Sequence, residues 1–167
     1  MIRPVVRAPN PVLSRPAAPV DPSDPEVIAV AVDLVETMRV SPGCVGLAAP
    51  QLGEPVRVFA LDVTGHPKAR SCAGLVVLIN PVVVEAGEPR KGREGCMSVP
   101  DFTGDVGRPR TLSVRGLVPG PPPRERIVEA DAFEARALAH ELDHLDGLLF
   151  LDRVAGAQGI HPRKRYL

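Results

Sequence analysis

Apolar positions recur at two different spacings along this chain, and the spacing changes from one segment to the next. Val27, Val30, Ala31, Leu34, Val35 and Met38 fall three or four residues apart, the period that gathers side chains on one face of a helix. Ser23-Asp24-Pro25-Glu26 opens this run with a capping residue and a proline in the first turn, and Pro42-Gly43 closes it after about Arg39. The segments 56–63, 75–84 and 111–118 are instead rich in Val, Leu and Ile and bounded by Gly, Pro or Asn, which predicts strands. Residues 124–130 alternate more weakly and face the preceding run across Pro119-Gly120-Pro121, so a hairpin is expected there. Asp131 and Glu134 then have the spacing of a capping box, opening a second helix that runs to about Leu145 and stops near Asp146-Gly147.

Strands followed by a helix predict an α+β fold. The expected arrangement is mixed or antiparallel strands packed around a central helix that carries residues 140–144, with a separate N-terminal helix. Residues 1–22 read as an irregular, proline-rich arm and 154–167 as a short tail, within one domain spanning 1–167.

Composition narrows the chemistry. With 44% hydrophobic residues in 167, the chain can bury one core. That core is aliphatic, since aromatics make up 3% and there is no Trp. The 20 Lys and Arg balance the 20 Asp and Glu, so there is no basic field of the kind that gathers a phosphate backbone, and DNA is not an expected partner. No run approaches the roughly 20 apolar residues of a membrane span, and the first residues lack the apolar stretch of a secretory signal. A cytoplasmic protein that does not engage membranes is expected. Three cysteines, Cys44, Cys72 and Cys96, are an odd number without an export signal, which argues against a disulfide framework and for a thiol with a chemical task.

The densest chemistry is His140-Glu141-Leu142-Asp143-His144. On a helix the two histidines project from one face a turn apart, the geometry for two imidazoles on one ion. Glu141 is turned about 100° from the first of them, placed to reach a water at the ion without ligating it. Phe133 and Ala137 share the histidine face and supply an apolar patch beside the ion, while Leu138, Leu142 and Leu145 form a separate stripe for the core. A catalytic site needs a third protein ligand and an open position. Cys96, in Glu94-Gly95-Cys96-Met97-Ser98, is the best candidate, although a lone cysteine also serves as an apolar filler. Gln51, at the end of Cys44-Val45-Gly46-Leu47-Ala48-Ala49-Pro50-Gln51, can offer an amide N–H to a developing oxyanion or be an ordinary loop residue.

Together, Gly46 to Gln51, Glu94 to Ser98 and His140 to His144 resemble the three signature motifs of the peptide deformylases, in order and in spacing. The resemblance extends through Leu145-Asp146-Gly147 and implies a domain covering about residues 3–153. It implies that Cys96, His140 and His144 hold one divalent ion, ferrous iron first, with zinc, nickel or cobalt as other occupants. It implies Glu141 as general acid/base, and Gln51 with the Met97 N–H as oxyanion donors. Gly46 matches the glycine beside which the substrate lies as an added strand, and Glu94 and Arg108 match a pair that braces the cysteine loop. The implied reaction removes the formyl group from an N-formylated peptide or nascent chain and releases formate. Small residues from Val45 to Ala49 would then exclude an acetyl methyl, and the substrate side chain would lie near Phe133 and Ala137.

The chain departs from the family pattern at several places, of which the acids after the cysteine motif bear most on the substrate, while positions 44 and 139 are not expected to touch the reacting atoms. Cys44 stands where the first motif often has glycine, and Ala139 where glutamine often precedes the third. Asp101 and Asp105 follow the cysteine motif where the family commonly shows Gly and often Arg, and two acids near a substrate groove would alter which peptides bind. Many relatives end in a helix that helps them dock on the ribosome. The 14 residues after Arg153 include Gly156, Gly159 and Pro162, which does not predict one. Arg163-Lys164-Arg165 reads as a solvated basic tail, with a transient ribosome contact left open. Three rival readings remain at this point: a metallopeptidase drawing a third ligand from Asp146, Asp152 or His161; a structural ion closed by Cys44 or Cys72; and a deformylase acting on another formylated small molecule.

Overall fold

The computed structural model describes residues 1–164. The first expected helix forms as α1 (Pro25–Val40), with the Asp24 carboxylate accepting from the Glu26 N–H at 2.8 Å. The strands are β1 (Gly46–Ala48), β2 (Val58–Leu61), β3 (Val76–Ala86), β4 (Pro89–Cys96), β5 (Val99–Pro109), β6 (Thr111–Val118), β7 (Arg124–Asp131) and β8 (Ile160–Pro162), with α2 (Ala132–Leu145) between β7 and β8. They make a five-stranded sheet in the order β1-β2-β3-β6-β7 and a three-stranded sheet in the order β4-β5-β8. Every pairing of these strands is antiparallel, and the parallel contact Ala18 to Val56 is an isolated bridge.

Strand β2 shows how the layers are built. Successive side chains point to opposite faces, and all four residues of β2 are buried because both faces are covered. Phe59 and Leu61 pack against Ala135, Leu138, Leu142 and Leu145 of α2, whereas Val58 and Ala60 pack against Val27, Ala31, Leu34 and Met38 of α1. Helix α2 also touches β5 of the smaller sheet, so it lies centrally between strands of both sheets, as expected of an α+β fold.

Helix α2 ends where predicted, but its start is built differently. The capping box does not form: the Asp131 side chain makes no cap hydrogen bond. Asp131 Oδ1 accepts instead from Ser71 N–H (2.9 Å), and Glu134 accepts from Ser71 Oγ (2.8 Å) and Ala73 N–H (2.7 Å). A positive φ of 48° at Ala132 turns the chain sharply into the helix, and both carboxylates then serve the 71–73 loop. Gly147 stops α2 with φ +78°, and a Cβ there would lie 2.8 Å from the Arg15 main chain, so conformation and space both require glycine.

Two expectations about the chain ends are refined. The 1–22 arm contains one short 3-10 turn, Pro11–Ser14, and is otherwise irregular, yet it is strapped down. Val6 N–H donates to Gln51 O (2.8 Å), Ala8 N–H to Ser98 O (2.9 Å) and Ala17 N–H to Leu145 O (2.8 Å). The tail has no long helix among the described residues, but it is not merely a tail, because β8 pairs with Phe102–Gly104 of β5. Arg165 lies outside the described residues. The β4–β5 hairpin was not predicted: Pro89-Arg-Lys-Gly-Arg-Glu-Gly-Cys96 lacks the branched apolar alternation that marks a strand.

Candidate metal centre

Cys96 ends β4, where a register shift between Gly95 and Cys96 bends the strand into the tight turn leading to β5. That turn carries the thiol to His140 and His144 on α2. One donor atom from each of the three residues lies within 4.8 Å of the others, and Cys96 Sγ is 3.3 Å from His144 Nε2. Tetrahedral zinc-like coordination, with bonds of about 2.0–2.3 Å, places neighbouring donors roughly 3.3–3.8 Å apart. The donor set and its spacing therefore fit one divalent ion.

A network of charges around Glu94 orients His140. His140 Nδ1 lies 2.8 Å from Glu94 Oε1, which leaves Nε2 for the centre, the carboxylate–histidine arrangement of metal sites. Arg108 binds Glu94 through Nε (2.8 Å) and Nη2 (3.0 Å) and reaches Asp143 through Nη1. Arg136 adds a bond to Glu94 (2.9 Å), and Arg153 binds both oxygens of Asp143 at 2.9 and 3.0 Å. The pair expected from the sequence, Glu94 with Arg108, is thus part of a larger network. Asp143, Arg136 and Arg153 were missed. The available signal was Asp143 itself: an acid between two inward-facing histidines needs a buried cation.

Burial opposes the charge on Glu94, but the His140 and Arg108 hydrogen bonds outweigh it and lower its pKa from 4.5 to about 2. Asp143 is depressed too, because the hydrogen bonds from Arg153 and Arg108 overcome burial. Carboxylates depressed by folding give stability that is complete above their unfolded pKa and is lost as pH falls through the folded one. The melting temperature of the metal-free protein is expected to hold above about pH 5 and to fall between roughly pH 4.5 and 2. Glu94→Gln should flatten part of that fall when followed by scanning calorimetry.

Burial alone would raise the Cys96 pKa, but the adjoining histidine charges and hydrogen bonds bring it well below the ordinary thiol value. This favours the thiolate, the form that ligates. Glu141 is raised from 4.5 to about 7, chiefly by burial. Its Oε2 is buried without a hydrogen-bond partner among the described residues. A Cβ added to Gly46 would lie 2.5 Å from Glu141 Oε1, so this glycine is what lets the carboxylate stand beside the centre.

Gln51 is 2% exposed, and its amide is oriented. Ala48 N–H donates to Oε1 (3.0 Å), which turns Nε2 towards Cys96 Sγ (3.5 Å) and Ser98 Oγ (3.2 Å). The Ser98 hydroxyl donates to Val6 O (2.7 Å) and is left to accept from Gln51. Gln51 and Cys96 open on a cavity of about 410 Å³ whose lining includes Val45, Gly46, Met97, Phe133 and Ala137. His66, another residue not singled out from sequence, stacks on Phe133 with ring centroids 3.9 Å apart.

The structure separates other residues from the centre. Asp101 and Asp105 do not line the cavity: Asp101 is exposed on β5, and Asp105 is paired with Arg93 and His161, each at 3.0 Å. The residues a metallopeptidase would draw on are engaged elsewhere. Asp146 binds Arg57 (3.0 Å), Asp152 accepts from Leu149 N–H (2.8 Å), and His161 meets Asp105. Neither other cysteine joins the donor group. The Cys44 thiol lines the cavity, donates to Gly46 O (3.1 Å) and is pushed up to about 12, mainly by burial, while Cys72 is exposed beside Thr64. Arg163, read from sequence as a solvated residue, is half-buried and lines the cavity.

Comparison with known proteins agrees with this geometry. The family model described as polypeptide deformylase matches residues 2–159. The peptide deformylase of Desulforudis audaxviator is 42% identical over 162 residues, covering 96% of each chain. That of Rhizobium meliloti is 39% identical over 155 residues, covering 92% of this chain and 86% of its own. The crystal structure of peptide deformylase from Ehrlichia chaffeensis in complex with actinonin superposes with a TM-score of 0.85 at 31% identity, over 94% of this chain and 91% of that one. A match this extensive, in a chain that also brings the three motifs to one centre, shows that it belongs to the polypeptide deformylase family.

Proposed function

We propose that this chain removes the formyl group from the N-terminal formyl-methionine of newly made peptides, releasing formate. The observation that carries this reading is the buried Oε2 of Glu141, without a hydrogen-bond partner among the described residues, beside the Cys96, His140 and His144 donors. A divalent ion held by these three residues supplies Lewis acidity and lowers the pKa of water in the site. Ferrous iron is the proposed occupant, with zinc, nickel or cobalt as substitutes, because a thiolate and two imidazoles accept all of them.

Glu141 takes a proton from the attacking water as its oxygen adds to the formyl carbon, and burial, which raises the pKa of this carboxylate, favours its accepting and then returning a proton. Gln51 Nε2 and the Met97 N–H donate to the developing oxyanion. Glu141 then delivers the proton to the departing amine. Val45 and Gly46 line the substrate's main chain, and Phe133 and Ala137 receive its first side chain. Glu141 standing against Gly46 narrows the site on that side, which suits the single hydrogen of a formyl group and excludes the methyl of an acetyl group.

No helix among the described residues is long and apolar enough to cross a membrane. A cytoplasmic location, a nascent-chain substrate and a transient ribosome contact belong to this same reading. Purified without oxygen, the protein is expected to carry one equivalent of divalent metal by elemental analysis and to release formate from formyl-Met-Ala-Ser. A full metal complement with no formate would remove the proposed substrate and turn attention to other formylated molecules.

A further inference from the structure

A glutamine amide serves an oxyanion only if its nitrogen, and not its oxygen, is turned to the centre. Three contacts decide this for Gln51. Ala48 N–H holds Oε1 at 3.0 Å, and Nε2, which carries two hydrogens, lies 3.2 Å from Ser98 Oγ and 3.5 Å from Cys96 Sγ. One hydrogen is thus spent on Ser98, and the other is presented on the side of the metal ligands. A hydroxyl can donate or accept, so Ser98 alone would tolerate either face of the amide. The Val6 carbonyl removes that freedom: it lies 2.7 Å from the same Oγ and can only accept. The Ser98 proton is committed to Val6, and what Oγ offers Gln51 is a lone pair, which matches an N–H and repels the amide oxygen.

The Val6 carbonyl is itself fixed by its neighbours in the arm. Val6 N–H donates to Gln51 O (2.8 Å) and Ala8 N–H to Ser98 O (2.9 Å), so residues 6–8 bridge the segments that carry Gln51 and Cys96. Upstream, Arg3 N–H donates to Thr37 Oγ1 of α1 (3.0 Å), and its guanidinium binds Leu52 O (2.9 Å) and Glu54 Oε1 (2.8 Å). Ser98 is 1% exposed. Neither Ser98 nor Val6 lines the cavity, so any influence of Ser98 on the centre passes through the side chain it holds.

We propose that Ser98, its hydroxyl turned by the Val6 carbonyl, is a positioning residue that keeps the Gln51 N–H aimed at the developing oxyanion, which makes the N-terminal arm a working part of the site. The proposal rests on the role given to Gln51 under the deformylase reading.

A double-mutant cycle over Ser98→Ala and Gln51→Ala, read by formate release from formyl-Met-Ala-Ser, isolates the coupling between the two residues. Ser98→Ala is expected to lower kcat about tenfold, the worth of one hydrogen bond, with KM and metal content unchanged, because the aimed N–H matters in the transition state. Gln51→Ala should cost about a hundredfold, and adding Ser98→Ala to it should cost nothing more. A second reading needs no turnover. Gln51 and the exposed Gln158 are the chain's two glutamines, so nitrogen-15 glutamine labelling of the zinc-loaded protein gives the Gln51 side-chain amide signals with an internal reference, and Gln51→Ala assigns them. In the wild type the Gln51 amide hydrogens should exchange with solvent at least tenfold more slowly than those of Gln158, and in Ser98→Ala they should shift and exchange faster. Wild-type kcat in Ser98→Ala, the same tenfold loss with Gln51 absent, or Gln51 amide signals unmoved by Ser98→Ala overturns the proposal. No formate from the wild type would count against the deformylase reading instead, and the amide signals would still decide whether Ser98 holds Gln51.

Discussion

Replacing Glu141 by Gln is expected to lower kcat for formyl-Met-Ala-Ser about a thousandfold, within the range of positioned acid–base groups, while metal content stays at one equivalent. Glutamine has the same shape, so the contact with Gly46 survives and only the proton-carrying group is lost. The carboxylate is 4% exposed, one of its oxygens has no partner among the described residues, and burial has raised its pKa to about 7. A group kept in that condition contributes little to folding, since a buried polar atom without a partner costs stability. If Glu141 only packed against Gly46, the variant would keep nearly all activity. Steady-state formate release with parallel elemental analysis separates the two cases.

The second large effect is expected at Arg108, whose guanidinium joins Glu94, the brace of His140, to Asp143, the residue preceding His144. The three side chains are 4–8% exposed, and removing one member of a buried ion network leaves the others uncompensated, at a cost of about 3–5 kcal/mol. Arg108→Met should therefore lower the melting temperature by about 10 °C, since each kcal/mol shifts a domain of this size by roughly 2–4 °C. Metal affinity should fall with it, by about 10- to 100-fold, as when a partner that orients a ligand is lost. Arg108→Lys keeps the charge without the fork and should fall between. Thermal melts with and without bound metal, together with a chelator competition, read both effects. An unchanged melting temperature in Arg108→Met would mean that Arg136 and Arg153 carry the network without it.

Helix α1, helix α2 and strands β2, β3, β6 and β7 were legible because their apolar periodicity reports directly on which face is buried. The β4–β5 hairpin was not, because its pairing is sustained by cross-strand register and by arginines that meet acids distant in sequence. Arg93 with Asp105 and Arg108 with Glu94 are such pairs, and neither leaves a local pattern. The same limit explains Asp105. As a sequence neighbour of Cys96 it seemed to face the groove, but the strand register pairs it with Arg93.

Among the five, His140, Glu141 and His144 stood out by their helical spacing, Cys96 and Gln51 were marked out by the resemblance of their motifs, and the structure brings all five to one place. Arg163 carried no such mark. Its approach to Gly95 depends on β8 pairing with β5, a contact between segments about 60 residues apart in sequence that periodicity does not encode. The arm behind Gln51 and Ser98 is a similar case: its proline content announced irregularity, but not the main-chain bonds from Val6 and Ala8 that hold it there.

The decisive measurement is the ratio of kcat/KM for formyl-Met-Ala-Ser to that for acetyl-Met-Ala-Ser, on metal-loaded protein kept free of oxygen. Formate release with no detectable acetate is the predicted result, because the space beside Gly46 is already occupied by the Glu141 carboxylate. Comparable rates on the two peptides would contradict the account, leaving a metal hydrolase whose site does not select the formyl group.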